Sequence, residues 1–303
     1  MLDKIFFLLI IAMILSIIFT ILAFTQEKKL SVGIQTIKLK SGDEDISAFL
    51  AVPKIEGKFP AIVLIHEWWG LTDWEKENAV RFAGNGYVAI AVDLYRGKLA
   101  KTPEEARTYM QSLSADVVIR DIKSAVEYLK SREDVLPDKI GIIGWCMGGG
   151  FALRSLIEIP DFSAGVICYG RLVEDEKQLE KINAPILGIF AEKDRGIPPE
   201  TVKKFEEKMK KLGKKIEVKI YSDVNHAFMN PNNKNNYDEI STKNAWDLID
   251  KFFKKNLAKR INPKFEIDDE SLVSLRSVFI KHWNAISERV NYIELLVNEL
   301  FQD

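Results

Sequence analysis

Cysteine and histidine are both scarce in this 303-residue chain. The two cysteines, Cys146 and Cys168, are too few for the disulfide framework that stabilises many small secreted proteins. The three histidines, His66, His226 and His282, are spread along the chain, so no cluster with metal-ligand spacing stands out. The sequence therefore predicts no metal site.

An excess of charge of one sign is also missing. The chain has 43 Lys and Arg against 44 Asp and Glu, a net charge of -1, which gives no reason to expect a nucleic-acid partner. With 29% charged and 47% hydrophobic residues, the composition is typical of a globular protein with an added hydrophobic segment.

The added hydrophobic segment lies at the N-terminus, where residues 5–24 contain no charged side chain. A bilayer core is crossed by about 20 apolar residues, so this run predicts a single-pass anchor in a lipid bilayer and a membrane location. A cleaved signal peptide, followed by secretion, is the alternative. The orientation of the anchor stays open, since Lys4 flanks one side of the run and Lys28 and Lys29 flank the other.

The middle of the chain alternates strand-like and helix-like segments. Two alternating runs at 33–39 and 46–52 predict an antiparallel hairpin. Unbroken apolar runs, with helical stretches between most of them, predict a doubly wound, mostly parallel α/β sheet with helices on both faces. These runs are 61–65, 87–92, 140–143, 164–168, 186–190 and 216–221.

Three domains follow from this pattern: the anchor or signal at 1–29, an α/β domain at 30–260 and a helical extension at 261–303. In the extension, apolar residues recur at steps of three and four between Leu272 and Leu300, which predicts a long amphipathic helix. This helix either docks on the chain's own core or pairs with another helix, for example in a homodimer.

The sequence Gly144-Trp-Cys-Met-Gly148 follows one of the apolar runs and precedes a helical stretch. This strand–turn–helix context is typical of a nucleophile elbow, in which glycines allow a strained turn and a close strand–helix crossing. Cys146 occupies the nucleophile position. A buried structural cysteine in a glycine-rich turn is the alternative.

Polar side chains follow three other predicted strands: Glu67, Asp194 and His226. The carboxyl ends of parallel strands meet at one edge of a sheet, so we expect these side chains to lie near Cys146. The order nucleophile, acid, histidine is that of the α/β-hydrolases. It predicts that His226 is the base for Cys146 and that Asp194 orients His226. The backbone N–H groups of Trp68 and Met147 are the expected oxyanion donors.

Other candidates are weaker. Asp223 competes with Asp194 for the role of triad acid, and Cys168 lies within an apolar run that predicts a core position. His66 either lines the pocket or has a structural role. His282 belongs to the predicted C-terminal helix, where packing or surface exposure is expected.

Together these motifs resemble the dienelactone hydrolase family of α/β-hydrolases (carboxymethylenebutenolidase-like) over residues 30–257. The resemblance implies hydrolysis of carboxylic esters, notably cyclic enol-lactones, by a Cys-His-Asp triad without a cofactor. It also implies that Glu67 interacts with Cys146 in the resting enzyme and helps to form the thiolate. The motifs are His66-Glu-Trp-Trp-Gly-Leu71, Gly86-Tyr-Val-Ala-Ile-Ala-Val-Asp-Leu-Tyr95, Gly141-Ile-Ile-Gly-Trp-Cys-Met-Gly-Gly149, Asp194 and Asn225-His-Ala-Phe228.

The chain departs from the family at the substrate carboxylate. Family members that act on dienelactone hold that carboxylate with arginines, one of them shortly after the active histidine, where this chain reads His226-Ala-Phe-Met-Asn-Pro231. Arg96 is the candidate for the other arginine, and Arg171 or Arg195 could substitute for the missing one. An apolar substrate pocket is suggested by three aromatic residues, Trp68, Trp69 and Tyr95.

The preferred interpretation is an ester or lactone hydrolase with a small-molecule substrate. A noncatalytic membrane-anchored scaffold on a hydrolase fold is the alternative.

Overall fold

The computed structural model describes residues 30–257, and its centre is an eight-stranded sheet. The strands are β1 (Val32–Ser41), β2 (Glu44–Pro53), β3 (Phe59–Ile65), β4 (Val88–Val92), β5 (Val135–Trp145), β6 (Phe162–Cys168), β7 (Ile186–Ala191) and β8 (Ile216–Tyr221). Their order in the sheet is β1-β2-β4-β3-β5-β6-β7-β8. β2 pairs antiparallel with both β1 and β4, and all other neighbours are parallel.

Helices cover both faces of this sheet. They are α1 (Asp73–Gly84), α2 (Pro103–Ser112), α3 (Ala115–Ser131), α4 (Met147–Glu158), α5 (Glu176–Leu179), α6 (Pro199–Lys211) and α7 (Glu239–Leu257). Alternate residues of β3 belong to different cores, because successive strand side chains point to opposite faces. Val63 packs in a core with α3, α4 and α6, whereas Leu64 packs in a second core with α1 and α7. The predicted doubly wound α/β architecture, with an antiparallel edge hairpin, is confirmed.

The predicted strands and helices inside residues 30–257 are present, and several of their bounds differ. The helix predicted for residues 150–159 begins at Met147, β5 extends on both sides of the predicted run, and α5 was not predicted. No helix in this part of the chain is both long and apolar enough to span a membrane. The predicted anchor at 5–24 and the predicted C-terminal helix lie outside the described residues.

Candidate active site

Four predicted functional residues meet at the carboxyl edge of the parallel strands. Glu67 follows β3, Cys146 follows β5, Asp194 follows β7 and His226 follows β8. Glu67, Cys146 and His226 line a cavity of about 730 Å³. Asp194 is buried and bound to His226. The topology therefore brings together groups that are up to 159 positions apart in the sequence (226 - 67).

Cys146 lies in a strained turn. Its φ of 53° and ψ of -117° are values that a residue with a side chain rarely adopts. The flanking glycines have a steric reason: a Cβ at Gly144 would lie 2.1 Å from the carbonyl oxygen of Gly148, and one at Gly148 would lie 2.2 Å from that of Ile65. The strand and the helix cross too closely for any larger residue, as a nucleophile elbow requires.

His226 and Asp194 form the second part of the site. Nδ1 of His226 lies 2.6 Å from Oδ2 of Asp194, while Oδ1 of Asp194 accepts hydrogen bonds from the backbone N–H groups of Gly196 (2.9 Å) and Ile197 (3.1 Å). Burial by itself would lower the pKa of His226, but hydrogen bonds with Asp194 and Cys146 raise it to about 10. Since Nδ1 is bound to Asp194, the nitrogen that faces Cys146 is Nε2. The charged imidazolium is therefore the favoured form beside the sulfur.

The rival candidates have other partners. Asp223 is exposed and pairs with Lys193 at 3.0 Å, so the structure places Asp194 rather than Asp223 on the imidazole. Cys168 is fully buried in the core, as predicted, and burial raises the pKa of its thiol well above the usual value. In residues 30–257, no group of three or more His, Cys, Asp or Glu side chains is arranged to hold a metal ion.

The carboxylate of Glu67 is buried, with only 1% of the residue exposed. It accepts hydrogen bonds from Asn230 Nδ2 (2.8 Å) and from the Tyr169 hydroxyl (3.4 Å). Burial raises its pKa, and these two donors and the charge of His226 oppose that shift. The implied contact with Cys146 is thus replaced here by Asn230 and Tyr169, while Cys146 is bound to His226.

Tyr169 and Asn230 were not among the predicted site residues. Tyr169 directly follows the end of β6, so the reasoning from strand ends that identified Asp194 could have found it. Asn230 lies in the stretch after His226 where an arginine was expected. The sequence showed that the arginine was missing, but it did not show that the amide in this stretch reaches Glu67.

The turn that carries Trp68 has most of its backbone groups paired. Glu67 O accepts hydrogen bonds from His66 Nδ1 (2.5 Å) and Gly70 N (3.3 Å), and Trp68 O accepts one from the Tyr95 hydroxyl (3.1 Å). The N–H of Trp68 has no hydrogen-bond partner among the described residues. It points away from Glu67 O because a trans peptide places its N–H and C=O on opposite sides.

The second expected donor, the N–H of Met147, belongs to the first residue of α4. The first N–H groups of a helix have no acceptor within that helix. Both expected oxyanion donors are therefore free to bind a ligand.

His66 has a structural position behind this turn. It is fully buried, and its Nε2 accepts a hydrogen bond from the backbone N–H of Leu94 at 3.2 Å. Nε2 consequently carries no proton, so the proton is on Nδ1 and is donated to Glu67 O. Burial lowers the pKa of His66, which agrees with a neutral ring. Of the two roles considered for His66, the structure favours the structural one.

Two of the three predicted substrate-binding side chains lie elsewhere. The Arg96 guanidinium pairs with Asp121 (2.6 Å) and Glu44 (3.0 Å) and does not line the cavity. The reason is that Asp121 is fully buried and needs a counter-charge. Tyr95 is also buried, and its hydroxyl contacts Trp68 O rather than the cavity. Neither side chain belongs to the cavity lining, so their substrate-binding roles stay predictions, whereas Trp69 does line the cavity.

The cavity is lined by both apolar and polar side chains. Trp68, Trp69 and Met110 are the large apolar ones. Four asparagines, at positions 230, 232, 233 and 236, are among the polar ones. Besides the imidazolium of His226, Lys101 is the only cationic side chain among the lining residues, and its ammonium group has no partner among the described residues. Arg171 and Arg195, considered as substitutes, are exposed and are not part of this lining.

Comparison with known proteins supports the same fold. A sequence model of the Dienelactone hydrolase family matches residues 46–257. "Protein usf" of Aquifex pyrophilus is 35% identical over 230 residues, which cover 74% of this chain and 99% of that protein. The "Putative carboxymethylenebutenolidase" of Aquifex aeolicus is 33% identical over 230 residues, with the same two coverages of 74% and 99%. Among solved structures, a "Putative Dienelactone Hydrolase" from Klebsiella pneumoniae superposes with a TM-score of 0.69 at 24% identity, covering 74% of this chain and 99% of that one.

Proposed function

Because this chain belongs to the dienelactone hydrolase family and is a hydrolase of that type, we propose that it cleaves a carboxylic ester or lactone through a Cys146–His226–Asp194 triad. The observation that carries the proposal is the paired geometry of the site. Cys146 has the strained elbow conformation, and His226 is hydrogen-bonded to both Cys146 and Asp194. This arrangement suits a nucleophile with its base and an orienting acid.

In the proposed mechanism, Sγ of Cys146 attacks the carbonyl carbon of the substrate. The carbonyl oxygen becomes an oxyanion that accepts hydrogen bonds from the N–H groups of Trp68 and Met147. The bond to the leaving oxygen then breaks, that oxygen takes the proton from Nε2 of His226, and a thioester remains on Cys146. Water attacks the thioester and gives a proton to His226, and the carboxylic acid departs as the Cys146 thiolate re-forms.

Glu67 is proposed to act on the resting cysteine, as the family resemblance implies. In the arrangement observed here, Glu67 is held by Asn230 and Tyr169, while Cys146 is bound to His226. That arrangement fits the activated state, in which the thiol proton has reached the imidazole. Glu67 would contact Cys146 only after giving up the hydrogen bond from Asn230.

The substrate class is narrowed by the cavity. With Arg96 occupied by Asp121 and Glu44, no arginine lines the cavity, and apart from His226 only Lys101 offers a positive charge. We propose a small ester or lactone with an apolar part against Trp68 and Trp69. The asparagines that line the cavity would form hydrogen bonds with a polar part of the substrate.

The decisive experiment is the substitution Cys146→Ala in the full-length chain. Loss of ester hydrolysis by about 10³-fold or more, with an unchanged circular dichroism spectrum and melting temperature, is expected for a lost nucleophile. Cys146→Ser should retain little activity, because a serine hydroxyl is much less acidic than a thiol. The screen should include lactones, thioesters and aryl esters.

The noncatalytic scaffold is tested by the same variant. Undiminished hydrolysis by Cys146→Ala would refute the triad. Absence of any hydrolysis by the wild type, together with a Cys146 that reacts with iodoacetamide no faster than a free thiol, would favour the scaffold.

Two further proposals concern the ends of the chain. Residues 5–24 would anchor the hydrolase in a lipid bilayer, or be removed on secretion. Residues 272–300 would pair with a second copy of the chain. Light scattering of chains that begin near residue 30, with and without the residues after 262, tests the second proposal, and a monomeric state of both would dismiss it.

A further inference from the structure

Glu75 is a second buried carboxylate beside the proposed active site. It lies in the first turn of α1, and only 1% of the residue is exposed. A glutamate at this position of a helix commonly binds the N-cap backbone at the protein surface. Burial of the group therefore needs a further explanation.

The hydrogen bonds of Glu75 reach both ends of the turn that carries Trp68. One oxygen, Oε1, accepts from the backbone N–H of Glu67 at 3.2 Å. The other, Oε2, accepts from the backbone N–H of Thr72 at 3.0 Å and from the Thr72 hydroxyl. The bonds to Thr72 complete an ordinary capping box, whereas the bond to Glu67 fixes the peptide just before the oxyanion donor.

Other buried groups hold the middle of the same turn. His66 binds Glu67 O, and the Tyr95 hydroxyl binds Trp68 O. Within this stretch the N–H of Trp68 is left without a partner and faces away from His66. Glu75 thus completes a set of contacts that fixes the peptides on both sides of this N–H.

This placement is electrostatically costly. Burial, followed by the negative charge of Glu67, raises the pKa of Glu75 to about 8. An apolar residue of similar size would avoid that cost. Such a residue would, however, leave the backbone N–H groups of Glu67 and Thr72 without these acceptors, and the two bonds join both ends of the 67–72 turn.

From this geometry we infer that Glu75 is a positioning residue for hydrolysis: it holds the 67–72 turn from behind, so that the Trp68 N–H points at the oxyanion formed on Cys146. The inference rests on the proposed function. Glu75 does not line the cavity and touches no reacting atom in this proposal. Its effect on the rate is transmitted through the backbone of Glu67 and Thr72.

The test compares three substitutions in the full-length chain. Glu75→Leu removes all three hydrogen bonds, whereas Glu75→Gln keeps an oxygen for Glu67 N and loses the acceptor for Thr72 N. Asp73→Asn is the matched control, since it removes an exposed carboxylate from the same first turn. The readouts are kcat and KM for an ester found in the screen, and the rate of Cys146 alkylation by iodoacetamide.

Alkylation separates the two roles, because it needs the thiolate but no oxyanion donor. For Glu75→Leu we expect kcat to fall by about 10²-fold, in the range observed when an oxyanion donor is lost. Its KM and alkylation rate should stay within about twofold of the wild-type values, because a transition-state contact alone is lost. Glu75→Gln should recover most of the rate, and Asp73→Asn should match the wild type.

An unchanged kcat in folded Glu75→Leu would overturn the inference. A parallel fall of kcat and alkylation would also overturn it, since the triad itself would then be damaged. If Glu75→Leu does not fold, Glu75→Met replaces it, since it removes the same hydrogen bonds with an unbranched side chain, and an unchanged kcat in that variant would refute the positioning role. Failure of the proposed function would look different, because the wild type itself would then hydrolyse no ester.

Discussion

The protonation state of His226 has a measurable consequence for the rate. Its pKa is raised to about 10, against burial, by hydrogen bonds with Asp194 and Cys146. The proton on Nε2 is needed to expel the leaving group, so activity is lost when pH rises through that pKa. We predict that kcat/KM declines on the alkaline side near pH 10.

The substitution Asp194→Asn should move this alkaline limb. It removes the carboxylate that stabilises the imidazolium, so the pKa of His226 falls and the limb shifts to lower pH. Activity itself should drop by about 10²–10⁴-fold, since the orienting acid is lost. Profiles of kcat/KM from pH 6 to 11 provide the measurement, with the exposed neighbour Glu192→Gln as control. An alkaline limb that stays in place would contradict the role given to Asp194.

Arg96 was predicted to bind substrate, but in the structure it pairs with Asp121 and Glu44. Its guanidinium neutralises buried Asp121, which also accepts a hydrogen bond from Ser41 Oγ at 2.5 Å. Arg96→Ala should lower the free energy of unfolding by about 1–3 kcal/mol, because Asp121 keeps only part of its partners. KM should stay within about twofold. Urea denaturation and steady-state kinetics check both values, and a large rise in KM with unchanged stability would restore Arg96 to the substrate site.

At the scale of single residues, the sequence indicates where the site residues lie better than it indicates which side chains they contact. The positions of Cys146, Asp194 and His226 follow from chain order, because each lies within five residues of the carboxyl end of a strand. The partners of Glu67 and Arg96 do not follow, because they depend on the direction of a side chain. Asn230 lies 163 positions from Glu67, and Asp121 lies 25 from Arg96. No local pattern indicates that either pair would meet.

The crossing of β5, α4 and β3 is the element on which the nucleophile depends. A Cβ at Gly148 would lie 2.2 Å from Ile65 O, a backbone atom that cannot move without disturbing β3. Gly150 lies two positions further along α4, where a Cβ would meet its nearest neighbour, Arg171, at 3.4 Å. The two glycines have opposite steric surroundings within one helix.

We therefore predict opposite outcomes for two alanine substitutions. Gly148→Ala should destabilise the protein by about 3 kcal/mol or more, or prevent folding, since strand and helix must separate. Gly150→Ala should be neutral or stabilising by up to about 1 kcal/mol, because alanine is the better helix former. Thermal denaturation of both variants checks this. Equal melting temperatures would show that the crossing is not as close as described.

The same turn explains why one helix boundary was predicted three residues late. The predicted helix begins at residue 150, the last of three consecutive glycines, and glycine is a poor helix former. In the structure α4 begins at Met147, directly after strained Cys146. Gly148 and Gly149 are inside the helix because a Cβ at either position would clash with the backbone of β3 or β6. Tertiary packing thus overrides local preference at the site where the chemistry is proposed.

The whole molecule combines a hydrolase unit with a terminal segment whose role is still a proposal. The 20 uncharged residues at 5–24 match the thickness of a bilayer, and the catalytic proposal does not depend on them. We predict that the full-length protein stays in the membrane pellet after carbonate washing and is released by detergent. A chain lacking residues 1–29 should be found in the supernatant with unchanged kcat.

A point-substituted chain provides the matched control for that deletion. Changing Leu9 and Ile14 to arginine leaves the length unaltered, but each charge near the middle of a spanning helix opposes insertion by about 2.5–3.5 kcal/mol. This variant should move to the supernatant like the deletion. The intact mass of the membrane-bound protein separates the two alternatives, since an anchor retains residues 1–29 and a signal peptide loses them. A full-length chain of uncleaved mass that remains in the supernatant would refute both the anchor and the cleaved signal.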